Sequence, residues 1–158
     1  MEPKGLKYAA VKTLSTFFYV GYLPLIPGTF ASVAGLFLYY LVKGSVIIYA
    51  AVTVFLTITG FLISSDAEKI FKKKDARYIV IDEVCGMLLS LAFLPYDLKL
   101  VVIAFFIFRV LDTVKPYPAW RLQELKGGLG VMSDDVVAGL YTNIILQTVL
   151  RLVSFTIS

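Results

Sequence analysis

The sequence predicts an all-α fold: a small polytopic membrane bundle of about four to five membrane helices with an amphipathic helix at the N-terminus. Hydrophobic residues make up 59% of the 158-residue chain and charged residues only 16%, whereas soluble domains are ~45–50% apolar and ~25% charged. The apolar residues also gather in runs long enough to enter a bilayer. A chain of this length could not hide so much apolar surface in its own core, so lipid is expected to cover part of it.

No Pro/Ser-rich linker, internal repeat or low-complexity tract divides the chain, so residues 1–158 are expected to form one membrane-embedded domain. The net charge is +4, but the bases lie in loops beside the apolar runs and form no stripe interleaved with aromatic residues. This pattern is typical of membrane topology signals and argues against nucleic-acid binding. Nothing in the sequence predicts the oligomeric state.

The first half of the chain is predicted to contain three helices. Apolar side chains recur at helical spacing over residues 6–20, which indicates an amphipathic helix that lies in the interface or enters the bilayer at a slant. Glycines and prolines break this helix at residues 21–29. Thr29 is a good N-cap for a helix over 30–42, and the apolar run at 45–65 has the ~20 residues that a spanning helix needs.

The second half is predicted to contain three more helices. A charged loop over 66–77 precedes a helix over 79–94, and the apolar run at 98–114 is a further helix that a Lys-Pro pair ends. The polar, glycine-containing residues 115–133 predict a long connection. The last helix is expected over 133–157.

The lysines and arginines predict the orientation in the membrane. Loop 66–77 carries five of them and connection 115–133 carries three, whereas the connections around 43–44 and 96–99 have little positive charge. Because positive loops stay on the cytoplasmic side, connections 66–77 and 115–133 are expected in the cytoplasm, together with the 21–29 turn. The charged motifs described next then lie at one face and could form one site.

Two groups of acids stand at predicted helix starts on this face. Asp82 and Glu83 begin one helix, and Ser133, Asp134 and Asp135 begin the last. Acids at a helix start can complement its dipole, and Ser133 or Asp134 could cap the last helix. Two acid pairs on one face also provide the carboxylate oxygens that Mg²⁺ prefers. Metal binding by these acids is the interpretation we favour.

A glycine follows each acid pair by one helical turn. Gly86 lies four residues after Asp82, and Gly139 lies four residues after Asp135. Residues at this spacing share a helix face. We therefore expect another helix to approach closely beside each acid.

Arg109, Asp112 and Lys115 recur every three residues along one helix face. An internal Arg109–Asp112 ion pair would explain the arginine. Lys115 could snorkel at the interface or contact a phosphate as a point charge. The turn that ends at Thr29 adds backbone N–H groups at a helix start, where anions bind readily.

Absent residue types narrow the chemistry. The chain has no histidine, which excludes phosphatases that use a histidine nucleophile or acid. Cys85 has Leu91, and no arginine, six residues later, so it does not form a cysteine-phosphatase loop. No GxxxxGK[ST] run is present, which argues against Walker-type nucleotide hydrolysis.

Four motifs together resemble the phosphatidylglycerophosphatase A family in order and spacing. They are PGT at 27–29, IVIDEVCG at 79–86, FR through D to KPYP at 108–118, and GGLGVMSDD at 127–135 followed by AG at 138–139. The resemblance implies a Mg²⁺-dependent lipid phosphatase of the inner (cytoplasmic) membrane. Its substrate would be phosphatidylglycerophosphate, hydrolysed to phosphatidylglycerol and phosphate at the cytoplasmic face among the membrane lipids.

The motifs then define the expected site. Metal ligands are expected at Asp82, Glu83, Asp134 and Asp135. Asp112 is expected to be a further ligand or a base, so that the five acids form the catalytic set. Substrate binding is expected at Thr29, Arg109, Lys115 and Ser133. The alternative is a membrane cation transporter or channel, in which the same carboxylates would bind a permeating ion.

Overall fold

The computed structural model describes residues 5–157, and within this range the chain folds into seven α-helices and no strand. The all-α prediction is therefore confirmed. A 3₁₀ turn at Val20–Tyr22 follows the first helix. The helices are α1 (Leu6–Ser15), α2 (Pro27–Val42), α3 (Val46–Phe71), α4 (Ile81–Ser90), α5 (Leu98–Val114), α6 (Ala119–Leu122) and α7 (Gly128–Ile157).

Two of the described helices, α3 and α7, are long and apolar enough to cross a membrane. Only 17% of the most apolar window of α3 and 22% of that of α7 is buried inside the protein, whereas the core helix of a soluble protein would be mostly buried. Their exposed apolar side chains need lipid as their solvent, so the protein is membrane-associated. α2 is apolar but shorter, and the expected total of four to five membrane helices stays a prediction.

The short helix α4 lies at the centre of the bundle and packs against α2, α3, α5 and α7. The sequence predicted a helix over 79–94, whereas α4 ends at Ser90. The side-chain amide of Asn143 in α7 donates hydrogen bonds to the carbonyls of Ser90 and Ala92, at 3.2 and 2.7 Å. These bonds satisfy carbonyls that the end of a helix leaves unpaired, so a tertiary contact replaces the next helical turn.

A close helix contact joins α4 to α7 through two glycines. A Cβ atom at Gly139 would lie 2.5 Å from the carbonyl oxygen of Gly86, and one at Gly86 would lie 2.8 Å from that of Asp135. The predicted close approach beside each acid pair is confirmed. Each glycine lies one turn beyond an acid, so this contact also holds Asp82 and Asp135 near each other.

Two predicted helix starts are wrong. α2 begins at Pro27, so Thr29 lies within its first turn and is not its N-cap; proline suits a first turn because its φ is fixed and it has no N–H to satisfy. α7 begins at Gly128, whose N–H donates to the hydroxyl of Ser65 in α3 at 2.7 Å. Ser133 therefore does not cap α7, and the acids beside it lie about a turn inside the helix.

The two charged connections are also more helical than expected. α3 continues through the predicted 66–77 loop to Phe71, with Asp66 paired to Lys69 at 3.0 Å and to Lys7 at 2.9 Å. The 115–133 connection contains α6. The predicted helix over 98–114 is confirmed, with Asp97 accepting a bond from the backbone of its first turn.

The connections that were assigned to one face do lie together. The ammonium of Lys74 donates to the carbonyl of Glu124 at 3.1 Å, and the amide of Gln123 donates to Asp75 at 3.0 Å. At the other end of the bundle, the Lys43 ammonium lies 2.9 Å from the centre of the Tyr96 ring. The bundle therefore has one highly charged end and one end with little charge.

The Gly86–Gly139 contact predicts a sharp stability difference between two Gly→Ala variants. Gly139→Ala would press a methyl group onto the Gly86 backbone at 2.5 Å, and overpacking of this kind costs about 1–3 kcal/mol. Gly44→Ala is the matched control because no atom lies within 4 Å of the added Cβ. Thermal unfolding in detergent should show a lower Tm for Gly139→Ala alone. Equal Tm values would contradict the tight packing of α4 on α7.

Candidate active site

The charged end of the bundle contains a cavity of about 380 Å³. The starts of α2 and α4, the end of α5 and the second turn of α7 surround it. Eight of the nine residues expected at the site line this cavity, and Ser133 is the exception. The eight are Thr29, Asp82, Glu83, Arg109, Asp112, Lys115, Asp134 and Asp135. The three charged motifs therefore meet in space, as their assignment to one face predicted.

Three carboxylates form the centre of the cavity. Asp82, Glu83 and Asp135 each offer an oxygen, and the three oxygens lie within 4.8 Å of one another. Each residue also has a buried carboxylate oxygen without a hydrogen-bond partner. Like charges this close repel, and an unpaired buried oxygen is costly. A hard divalent cation would satisfy both conditions, so these residues fit a Mg²⁺ site.

Asp134 lies next to this cluster but has a different partner. Its Oδ2 accepts a hydrogen bond from the Lys115 ammonium at 2.5 Å, while its Oδ1 is buried without a partner. Burial lowers the pKa of Lys115, but the bond to Asp134 and the nearby carboxylates outweigh burial and raise the pKa above its ordinary value. Lys115 is therefore a fixed positive charge at the cavity wall. The hydrogen bond from Lys115 occupies one carboxylate oxygen of Asp134. That Asp134 is a metal ligand stays a prediction.

Arg109 lies on the side of the cavity that α2 covers. Its Nη1 donates to Asp112 at 2.7 Å and to the hydroxyl of Ser32 at 3.5 Å. The Arg109–Asp112 ion pair expected from their spacing is confirmed. A Cβ atom at Gly28 would lie 2.4 Å from Glu83 Oε1 and 3.5 Å from Arg109 Nη1. The glycine of the PGT motif thus lets the start of α2 approach both the acids and the arginine.

Sequence reasoning missed several residues of the cavity. Gly28 and Ser32 were not selected, although the PGT motif pointed to this helix start. Asp75 and Arg77, from the connection between α3 and α4, line the cavity as well, and no recognised pattern marked them. Asp66, an acid at the same end of the bundle, is absent from the lining because it pairs with surface lysines.

An apolar bundle with a cavity of acids and bases at one end suits an enzyme that acts on a charged group at a membrane surface. Residues 13–150 match the family described as phosphatidylglycerophosphatase A. The chain belongs to this family, and the resemblance seen in its motifs is confirmed. The protein is accordingly an enzyme, a phosphatase.

Three curated relatives are similar to the chain. Phosphatidylglycerophosphatase A of Escherichia coli is 36% identical, with 75% of this chain and 71% of the relative covered. The Haemophilus influenzae protein of the same name is 32% identical, with 76% of each chain covered. A Bacteroides thetaiotaomicron protein, provisionally named a phosphatidylinositol-3-phosphatase, is 33% identical, with 84% of this chain and 89% of the relative covered. No solved structure matches. Nothing in these relationships supports the transporter alternative.

The carboxylate cluster predicts that Asp82→Asn and Asp135→Asn abolish cation binding. Each change keeps the side-chain size but removes a charge that a divalent cation needs. Adding Mg²⁺ to metal-stripped protein should raise the Tm of the wild type and not of these variants, and their turnover should fall about a hundredfold or more, roughly 3 kcal/mol of barrier.

Asp66→Asn is the matched control for these variants, because Asp66 lies at the same end of the bundle and outside the cavity. It should keep both the Mg²⁺-dependent Tm and the turnover of the wild type. A normal Mg²⁺ response in Asp82→Asn and Asp135→Asn would refute the assignment of the cluster as a metal site.

Proposed function

We propose that this protein hydrolyses phosphatidylglycerophosphate to phosphatidylglycerol and phosphate, with Mg²⁺, at the cytoplasmic face of the inner membrane. The observation that carries the proposal is the cavity itself. Three carboxylates with unpaired buried oxygens lie beside two bases at one end of an apolar bundle. Such a set would hold a metal ion beside a phosphate monoester, and a lipid headgroup would reach the cavity from the bilayer surface.

The acids would hold the metal. Asp82, Glu83 and Asp135 give an oxygen-only set, and the chain has no histidine, so Mg²⁺ is favoured over Zn²⁺. Asp134 and Asp112 line the same cavity and are available as a further ligand or a base. When bound, Mg²⁺ supplies Lewis-acid polarisation of a phosphoryl oxygen.

The bases would hold the phosphate. Arg109 is oriented by its bonds to Asp112 and Ser32, and Lys115 by its bond to Asp134. Fixed positive charges of this kind stabilise the negative charge of a phosphoryl group without reorganisation. Thr29 also lines the cavity at the start of α2, and because its N–H already donates to the carbonyl of Ile26, its hydroxyl is the group proposed to contact the phosphate.

Water is the proposed nucleophile. Histidine is absent from the chain, and the thiol of Cys85 is buried in the core among apolar side chains. Burial raises the cost of a thiolate, so this thiol is unsuited to attack. In the proposed step, water would attack the phosphorus while the P–O bond to the lipid alcohol breaks. A cavity carboxylate would take the proton from the water and pass it to the departing alkoxide, which gives phosphatidylglycerol and phosphate.

A second lipid fits the same chemistry. Because one relative is provisionally named a phosphatidylinositol-3-phosphatase, phosphatidylinositol 3-phosphate is the other candidate substrate. Both lipids carry a phosphate monoester on an alcohol that a phosphodiester joins to diacylglycerol. Two relatives and the family carry the phosphatidylglycerophosphatase name, which favours phosphatidylglycerophosphate.

Phosphate release by purified protein tests the proposed reaction. In neutral detergent micelles with Mg²⁺, phosphatidylglycerophosphate should be hydrolysed faster than phosphatidylinositol 3-phosphate or phosphatidic acid. Excess chelator should stop release, and added Mg²⁺ should restore it. Full turnover by metal-stripped protein in chelator would refute metal dependence, and preference for another lipid would refute the proposed substrate.

Paired cysteine variants test the proposed orientation. In a Cys85→Ala background, Lys73→Cys marks the charged end of the bundle and Gly44→Cys marks the opposite end. An impermeant thiol reagent applied outside the inner membrane should label Gly44→Cys and should label Lys73→Cys only after the membrane is opened. The reverse pattern would place the cavity on the outer face.

A further inference from the structure

Arg77 is a cavity residue that the proposed mechanism does not use. It lines the same cavity as the acids and the two bases, yet its side chain is exposed. In the described part of the chain no carboxylate forms an ion pair with it. Its guanidinium carbon lies 5.5 Å from the centre of the Tyr78 ring. The guanidinium is thus positioned by an aromatic ring and keeps its capacity to bind an anion.

The backbone that carries Arg77 is fixed on both sides. The N–H of Asp75 donates to Glu68 at 2.8 Å, and the carboxylate of Asp75 accepts a bond from Gln123 at 3.0 Å. On the other side, the N–H of Ile79 donates to the carbonyl of Ala76 at 2.7 Å, and both residues are buried. Arg77 therefore extends from a braced segment and has a defined place at the cavity rim.

An aromatic group beside Arg77 indicates its depth in the membrane. The Tyr78 ring stacks on Tyr22 at 4.9 Å and contacts Phe71 at 5.4 Å between ring centres. The Lys12 ammonium lies 5.4 Å from the Tyr22 ring. Tyrosines and lysines grouped in this way are typical of the membrane–water interface, at the level of the lipid headgroups. This grouping indicates that Arg77 belongs at the level of the lipid headgroups. Its side chain is exposed, whereas the carboxylates of Asp82 and Asp135 are buried.

We propose that Arg77 binds the phosphodiester of the substrate while the inner cavity binds the phosphate monoester. This inference rests on the proposed function, because both candidate lipids carry these two phosphates separated by a short polyol. Arginine suits the role since its planar guanidinium can bind two phosphate oxygens at once. A phosphodiester subsite would favour such lipids over phosphatidic acid, in which the monoester is attached directly to diacylglycerol.

The test separates the two phosphates kinetically. In neutral detergent micelles, KM is measured for phosphatidylglycerophosphate, and Ki is measured for inorganic phosphate, the product that the monoester position releases. Arg77→Gln should raise the lipid KM about tenfold or more, the loss expected for a charge-assisted hydrogen bond, and leave the phosphate Ki within about twofold. Arg77→Lys, which keeps the charge without the planar pair of donors, should give an intermediate KM.

Arg121→Gln is the matched control, because Arg121 is an exposed arginine at the same end of the bundle and outside the cavity. Its lipid KM should match that of the wild type. An equal rise in KM for Arg77→Gln and Arg121→Gln would mean that Arg77 only attracts the anionic lipid to the protein surface. A parallel rise in KM and Ki for Arg77→Gln would mean that Arg77 binds the phosphate monoester. Either result overturns the proposal. If the wild type releases phosphate from neither candidate lipid, the proposed function itself fails.

Discussion

The close contact between α4 and α7 is the constraint on which the site depends. Gly86 and Gly139 meet backbone to backbone, and each stands one helical turn beyond a buried acid. Because residues four apart share a helix face, the glycine contact also sets the separation of Asp82 and Asp135. A larger side chain at either glycine would move both helices, and the carboxylates with them. Packing of small residues thus determines the geometry of a charged centre.

Some charged groups of the cavity are paired with an opposite charge, and others are not. Arg109 is paired with Asp112, and Lys115 with Asp134, so each of these two bases is already balanced by an acid. The three carboxylates of the central cluster have no base of their own. A cavity with this excess of negative charge would repel a phosphate group unless a cation were bound first. This imbalance supports the proposed metal requirement more directly than the number of acids does, because it arises from which groups are paired.

Local signals were enough to predict some elements, and tertiary contacts decided the others. Ser45 caps α3 and Asp97 caps α5 through their own first turns, so sequence alone located both starts. The end of α4 depends on Asn143 and the start of α7 on Ser65, and each of these partners is distant in sequence. The distant contact between Ser65 and the start of α7 also explains why one expected site residue lies outside the cavity. Motif spacing identified eight of its residues. Ser133, which was expected to bind substrate at the start of the last helix, does not line the cavity, because that helix begins five residues earlier.

The position of the acids within the bundle explains how a lipid can reach them. α4 has 10 residues and is therefore ~15 Å long, about half the ~30 Å hydrocarbon thickness. Beyond its first turn, the space is filled by the buried side chains of Val84, Met87, Leu88 and Phe108. An ion-conducting path past the carboxylates would have to cross this packed core, whereas the cavity opens at the charged end. A phospholipid can therefore present its headgroup to the cavity while its acyl chains stay in the bilayer, which a phosphatase requires and a transporter does not.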